Sequence, residues 1–211
     1  MKQIHEVNLK KNNKNNNKNI FKILFTFSLL LLLILIVLIV FNINNLINNQ
    51  KLSDKLLENY NISNLYSYTN LTTNLNNNTD SQNSTEIFGI IKIPKINIKY
   101  TIYSTLSDEQ LKISPCKFYG SNPLYNGNIC IAGHNYNNSI FFSNIDKLDA
   151  NDEICIYYMN IKFIYYVTNK YEVNENDLSP IYNYDRNSKE LTLVSCNNLN
   201  KNRIIIKAKQ K

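Results

Sequence analysis

The feature that most constrains this chain is an apolar run at residues 23–41. Its nineteen residues are uncharged and almost wholly apolar. A helix rises about 1.5 Å per residue, so a run of this length spans nearly the whole hydrocarbon layer of about 30 Å. A cleaved signal peptide has a shorter apolar core, and no pair of small residues suited to a signal peptidase follows residue 41. The run therefore predicts one uncleaved transmembrane anchor.

The charges around this run predict its orientation. Residues 1–41 carry six Lys, all before the run, and one Glu, and the next basic residue is Lys51. Because basic residues favour the cytoplasmic side, we expect residues 1–22 in the cytoplasm and the chain after residue 41 outside it. The whole chain has a net charge of +7, but its one dense basic cluster is this N-terminal segment. A nucleic-acid partner is therefore not expected.

The remainder divides into a predicted stalk and a predicted folded domain. Residues 42–86 are rich in Asn, Ser and Thr, with a possible helix at residues 51–60, and the pattern predicts a flexible extracytoplasmic stalk. Residues 87–211 contain short β-branched and aromatic runs, several of them alternating apolar with polar, which indicates strands. The predicted strands lie at residues 88–93, 96–103, 128–132, 153–159, 161–173, 190–195 and 203–209. Seven or eight short strands with one or two helical turns, one of them starting at Ser107, favour a closed or nearly closed β-barrel over a sandwich.

The cysteine pattern argues against a metal site. The four cysteines are Cys116, Cys130, Cys155 and Cys196, and they form no C-x-x-C pair. Only one histidine lies outside the predicted cytoplasmic segment, so we expect no zinc site and no cofactor. The first three cysteines lie in or beside apolar stretches, where a buried small side chain is the usual state. The spacing leaves open whether any of them form a disulfide.

Three chemically distinctive residues lie at ends of predicted strands. Cys196 follows the strand at 190–195, His134 follows the strand at 128–132, and Arg203 begins the last predicted strand. If the Leu and Ile residues of these strands face the core, alternation places all three polar side chains on the outer surface. An extended peptide could lie there.

These residue types together suit acyl transfer. A cysteine thiolate attacks a peptide carbonyl, and a histidine protonates the departing amine and later deprotonates an incoming one. An arginine can stabilise the negative oxygen of the tetrahedral intermediate. Each residue alone is more often structural, but their joint occurrence at strand ends favours an enzyme with Cys196 as nucleophile.

At these residues the chain resembles the sortase family. The segment Thr192-Leu193-Val194-Ser195-Cys196 is similar to the family's T-L-x-T-C signature, with Ser195 replacing the second Thr. Residues 202–206 resemble the following strand with its essential arginine, and residues 131–135 resemble the motif of the catalytic histidine. Residues 141–154 resemble the family's continuation "FF…L…G-D-x-I", with Asn151 in place of the usual Gly. The similarity covers about residues 87–211.

The resemblance implies an eight-stranded sortase-type barrel and a two-step transpeptidation. Cys196 would cleave secreted proteins at a C-terminal sorting motif similar to L-P-x-T-G, and the amine of a peptidoglycan precursor would release the acyl group. His134 would be the acid and base, and Arg203 would bind the oxyanion or the substrate. Thr192, Ser195 and Asn135 are expected substrate contacts.

The 62 residues from His134 to Cys196 leave no room for the insertion of class B enzymes. Class D or another compact group is therefore expected. The acidic loop residues Glu172, Glu175 and Asp177 are expected to form a solvated surface. Two other functions stay open: a surface thiol protease that uses water in the second step, and a non-catalytic surface-binding barrel.

Overall fold

The structure is a computed structural model that describes residues 2–70, 87–136 and 140–211, with side chains of the N-terminal helix described for residues 21–61. The chain divides into two compact units, residues 1–48 and residues 49–211. The N-terminal unit consists of the first part of one long helix, α1 (Lys2–Asn70), which continues into the second unit.

Helix α1 contains the predicted anchor. Within the described residues, its segment Phe21–Asn61 is long and apolar enough to cross a membrane, with a mean hydropathy of 3.4 in its most apolar window. The helix also includes residues 42–70, whereas the sequence predicts helix there only at residues 51–60. From residue 50 the less exposed positions recur at helical spacing, and Ser53 is fully buried. Packing within the second unit therefore stabilises a helix that the Asn-rich sequence alone does not predict. The rest of the predicted stalk, residues 71–86, lies outside the described residues.

Residues 87–211 form the predicted mainly β fold, an eight-stranded closed barrel. The strands are β1 (Ile87–Ile93), β2 (Ile98–Tyr103), β3 (Cys116–Tyr119), β4 (Gly127–Ala132), β5 (Glu153–Tyr158), β6 (Ile161–Val173), β7 (Lys189–Cys196) and β8 (Arg203–Gln210). Their order around the barrel is β1-β2-β3-β4-β7-β8-β6-β5. Two short helices, α2 (Asp108–Leu111) and α3 (Ser179–Tyr182), and two 3-10 turns, Pro94–Ile96 and Ile145–Lys147, lie in the connections.

The barrel interior is filled by branched aliphatic side chains. Ile91, Ile131, Ile156, Leu193 and Ile206 are each fully buried. Burying one such side chain stabilises the fold by about 1.5–3 kcal/mol, so alternating Ile and Leu positions fix the inward face of each strand. The outward faces of β4, β7 and β8 are then free to form a site.

The strand pairing brings three chain segments to one edge of the barrel. Strands β4 and β7 are parallel, with Ala132 opposite Val194, so both strands end at the same edge. Strand β8 runs antiparallel to β7, and its first residue, Arg203, is opposite Cys196. His134 follows β4 by two residues and therefore lies at this edge as well.

Helix α2 starts where the sequence predicts a helix. The Ser107 hydroxyl accepts a hydrogen bond from the Gln110 amide at 3.1 Å, which caps the first turn. The Gln110 side chain accepts a hydrogen bond from the Thr105 hydroxyl at 3.2 Å. The helix lies between β2 and β3 in the chain, and its last residue, Leu111, lines the same groove as His134.

Candidate active site

One polar contact at this edge joins the side chains of Cys196 and Arg203. Arg203 Nη1 lies 3.1 Å from Cys196 Sγ, and both side chains are partly buried. Because the two residues are a register pair of β7 and β8, their side chains lie on the same face of the sheet, where the guanidinium group reaches the sulfur. A fixed cation at this distance stabilises a thiolate and stays charged at every physiological pH.

His134 lines the same groove as Cys196 and Arg203. Burial lowers the pKa of its imidazole below the ordinary value of 6.5, while the Asp108 carboxylate acts in the opposite direction and the Lys112 ammonium group adds to the decrease. The imidazole is therefore mainly neutral at pH 7. A neutral imidazole can accept a proton from a thiol or an amine.

Backbone and amide contacts connect the segments that carry His134 and Cys196. The Gly133 amide donates to the Val194 carbonyl at 3.1 Å, and the Ser195 hydroxyl donates to the Gly133 carbonyl at 2.9 Å. The Asn135 side-chain amide donates to the Cys196 carbonyl at 2.9 Å. The residues on both sides of His134 are thus bonded to the end of β7, so the two strand ends cannot move independently.

Gly133 is needed here because a side chain would not fit. A Cβ atom at this position would lie 2.6 Å from the ring of Phe142, which is fully buried and cannot move aside. The Phe142 amide also donates to the His134 carbonyl at 3.0 Å. The close approach of this ring therefore restrains the backbone position of His134.

The three expected substrate contacts have different surroundings. Thr192 is fully buried, and its hydroxyl donates to Asn128 Oδ1 at 2.7 Å. Ser195 is 2 % exposed, with its hydroxyl bonded to the Gly133 carbonyl. Asn135 is partly exposed, with its amide bonded to the Cys196 carbonyl. The geometry therefore gives Thr192 and Ser195 framework contacts, and a substrate contact for any of the three stays a prediction.

The groove has a volume of about 330 Å³ and largely apolar walls. One wall comes from the segment between β6 and β7, where Leu178, Pro180 and Ile181 line the groove. Further apolar lining residues are Leu106, Leu111, Phe118, Ala132, Val194 and Ile205. An extended peptide with apolar side chains fits such a surface, and Cys196 is one of the residues that line it.

The loop between β7 and β8 is held by a carboxylate that the sequence predicts on a solvated surface. Glu172, near the end of β6, accepts hydrogen bonds from the side-chain amides of Asn197 at 2.6 Å, Asn200 at 3.0 Å and Asn202 at 3.3 Å. The hydrogen bonds from Asn200, Asn202 and Asn197 lower the pKa of this carboxyl group. Glu172 is exposed, yet it ties together the loop that joins Cys196 to Arg203.

The other three cysteines are buried, as the sequence predicts. Burial raises the pKa of Cys116 and of Cys130 to about 12 and that of Cys155 to about 11. All four cysteines lie within the described residues and are free thiols. Cys196 is the only one of them that is partly exposed, which makes it the accessible thiol. No cluster of three or more potential metal-binding side chains occurs in the part of the chain that the structure describes.

The fold is similar to known structures. A Clostridium perfringens sortase D5 transpeptidase is 29 % identical, with a TM-score of 0.57, over 76 % of this chain and 96 % of that one. Sortase A from Corynebacterium diphtheriae is 24 % identical, with a TM-score of 0.56, over 61 % of this chain and 62 % of that chain. This protein therefore spans less than two thirds of the length of that sortase A. A sortase C from Clostridium perfringens, solved with the C-terminal cell wall sorting motif, is 24 % identical, with a TM-score of 0.55, over 75 % and 88 %. The last two comparisons support the fold alone.

Comparison with a sequence family model agrees with these structural similarities. A search of curated protein sequences finds no match. The family model described as "Sortase domain" matches residues 91–211, a stretch that includes His134, Cys196 and Arg203. Because that match covers more than half of the chain and the barrel is that of solved sortases, this protein belongs to the sortase family.

Proposed function

We propose that this protein is a transpeptidase that cleaves secreted proteins at a C-terminal sorting motif similar to L-P-x-T-G and transfers the acyl group to an amine. The observation that carries the proposal is the 3.1 Å contact between Arg203 Nη1 and Cys196 Sγ in a groove that His134 also lines. Family membership supports a sortase transpeptidase in general, and this geometry supports the residue roles that we propose within it.

In the first step, Cys196 Sγ attacks the scissile carbonyl carbon after His134 has accepted the thiol proton. Arg203 stabilises the negative oxygen that develops on the attacked carbon. Its guanidinium N–H groups lie beside the sulfur, and so they lie close to the carbon that the sulfur attacks. The C–N bond then breaks, and the imidazolium of His134 gives its proton to the departing amine. The product of this step is a thioacyl enzyme at Cys196.

In the second step, an amine enters the groove and attacks the thioacyl carbon. The imidazole of His134, whose pKa burial lowers, accepts the proton of the incoming amine. The C–S bond breaks and the thiolate of Cys196 returns to its place beside Arg203. The acceptor is the amine of a peptidoglycan precursor, because the anchor places the enzyme at the membrane where such precursors are exposed.

The anchor defines where the reaction occurs. Residues 23–41 span the cell membrane, the basic N-terminus is cytoplasmic, and the barrel is extracytoplasmic. The compact connection between β4 and β7 supports membership of class D or another small group. The similarity to the sortase D5 transpeptidase along 96 % of that chain supports this assignment.

The proposal is tested with the full-length chain in detergent micelles and a panel of peptides that vary the L-P-x-T-G motif. Triglycine serves as the acceptor amine, and mass spectrometry identifies the products. We expect an acyl fragment joined to triglycine, and no product with Cys196→Ala. Turnover by Cys196→Ala at the wild-type rate would refute the assignment of the nucleophile.

The same experiment separates the alternatives. A surface thiol protease would release only the free acid at every triglycine concentration, because water would resolve the thioacyl enzyme. A non-catalytic binding barrel would give neither product. An electrophilic thiol probe would also label its Cys196 at the same rate with and without His134→Ala.

A further inference from the structure

A charged side chain that takes no part in the proposed chemistry lies beneath one wall of the groove. Lys207, on β8, exposes 9 % of its surface, although lysine is almost never this deeply buried without partners. Its ammonium group donates to the carbonyls of Pro180 at 3.1 Å and Asn183 at 3.2 Å, and to the Thr192 hydroxyl at 3.0 Å. Three acceptors at these distances saturate the donors of one ammonium group.

Two of these acceptors lie in the segment between β6 and β7 that forms one wall of the groove. Pro180 lies in α3 and lines the groove, and Asn183 directly follows α3 as its C-cap. A second polar side chain reaches the same wall, since Asn128 Nδ2 donates to the Ile181 carbonyl at 3.0 Å and lies 3.4 Å from the Pro180 carbonyl. The one-turn helix is too short to be stable alone, so contacts from β4 and β8 must hold it.

The buried network also contains a counter-charge. Glu190, 3 % exposed, has its carboxylate 3.5 Å from Lys207 Nζ and 3.0 Å from Lys209 Nζ. Burial raises the pKa of the Glu190 carboxyl, but donation from the Asp185 amide, Lys209 and Ser188 outweighs it and the net shift is downward. A buried ion pair of this kind seldom adds net stability over an apolar replacement. Stability alone therefore does not explain a lysine at this position.

We infer that Lys207 is a positioning residue for substrate binding: its buried ammonium group holds α3 in place and so shapes the groove wall that the sorting peptide contacts. The inference rests on the proposed function for the identity of the peptide. It assigns Thr192 to this network, because the Thr192 hydroxyl bridges Lys207 and Asn128 instead of reaching the groove.

The contacts of the wall are separate from those that align the reacting groups. Cys196 is held by Asn135 and by its register pair Arg203, and none of the described hydrogen bonds joins Lys207 to these residues. Loss of the ammonium group should therefore weaken the binding of peptide more than it slows the chemical step. A general loss of stability would instead reduce the active fraction and leave KM unchanged.

The experiment compares Lys207→Met with Lys209→Met in the full-length chain in detergent. Lys209 lies two residues further along the same strand and also binds Glu190, but its side chain is 44 % exposed and it makes no described hydrogen bond to α3. KM and kcat are measured with the panel peptide that the wild type turns over fastest. Hydrogen exchange of the amides of residues 178–184 is followed in parallel without peptide.

For Lys207→Met we expect a rise in KM of about fivefold to tenfold, with kcat within about twofold of the wild type. Exchange at residues 178–184 should accelerate about tenfold, because two wall carbonyls lose a charged donor. Lys209→Met should change neither quantity by more than about twofold. An unchanged KM together with unchanged exchange in a folded Lys207→Met protein would overturn the inference.

Two further outcomes are distinguishable. If Lys207→Met does not unfold cooperatively, Asn128→Leu is measured in its place, because Asn128 donates to the same wall from β4. A KM and an exchange rate equal to those of the wild type in that variant would also overturn the inference. If the wild type neither cleaves nor exchanges any panel peptide, the proposed function fails. Exchange at residues 178–184 then still tests whether Lys207 holds the wall.

Discussion

At the scale of single residues, a substitution of Arg203 distinguishes the effect of its positive charge on the reaction from the effect of its planar shape. Lysine in place of Arg203 keeps the charge but loses the planar fork of donors. We expect Arg203→Lys to lower kcat/KM by about a hundredfold, the loss typical of removing one donor to an oxyanion. The control is Arg186→Lys, because Arg186 is exposed and does not line the groove. Activity of Arg203→Lys within threefold of the wild type would show that charge alone suffices.

The pKa of His134 provides a second prediction for a single residue. Burial lowers it, and the Asp108 carboxylate opposes that decrease. Removing this carboxylate in Asp108→Asn should therefore lower the pKa further, and the titration midpoint of the imidazole NMR signal should move to lower pH. Glu109→Gln, one residue along α2, is the control, because Glu109 does not contribute to the shift. A midpoint above 6.5 in the wild type, or an upward move in Asp108→Asn, would contradict this account.

At the scale of elements, the loop between β7 and β8 depends on one carboxylate. Glu172→Ala removes the acceptor shared by Asn197, Asn200 and Asn202, so the loop should lose its attachment to β6. We expect amide exchange in residues 197–202 to accelerate and kcat/KM to fall severalfold, because this loop joins Cys196 to Arg203. Thermal unfolding should change little, since Glu172 is exposed.

A matched variant controls for the loss of a carboxylate. In Glu153→Gln the side chain that changes is bonded to Cys155 and Lys162, on β5 and β6 and outside the groove. Peptide turnover and loop exchange should stay at wild-type values in this variant. Equal effects of Glu172→Ala and Glu153→Gln would rule out a specific role for the three-asparagine cluster.

Strands with a strong apolar pattern could be predicted from the sequence, and weakly patterned elements could not. Strand β6 has the predicted bounds, and alternation also predicted the outward side of β4, β7 and β8 that carries the groove. Strand β3 was missed because it has only four residues, and its first residue is paired with distant Tyr103 on β2. Pairing of that kind comes from closure of the barrel and leaves no periodic signal.

The same distinction applies to the candidate site. The positions of His134, Cys196 and Arg203 at one edge follow from their places at strand ends. The supporting contacts of Glu172 and Lys207 join residues 25–30 and 15–27 positions apart. Nothing local distinguishes these two charged residues from ordinary surface residues, so only the three-dimensional packing shows their partners.

At the scale of the whole molecule, the proposed topology places the barrel and α1's basic end on opposite sides of the membrane. The cysteines offer a direct probe, because Cys196 is partly exposed while the other three are buried. A membrane-impermeant maleimide added to intact cells should therefore label the wild type and should not label Cys196→Ala. Labelling of the wild type only after permeabilisation would place the barrel in the cytoplasm.

The basic N-terminus is expected to determine this topology. Residues 1–41 have a net charge of +5, from six Lys and one Glu, and all these charges precede the apolar run. Replacing Lys10, Lys11, Lys14, Lys18 and Lys22 by Glu reverses the bias, so a large fraction of the chains should insert with the barrel inside. Labelling of intact cells should fall in this variant and recover after permeabilisation, whereas exchanging the same lysines for Arg should leave labelling unchanged. Equal labelling of the Glu and Arg variants would mean that the folded barrel, and not the flanking charge, decides the orientation.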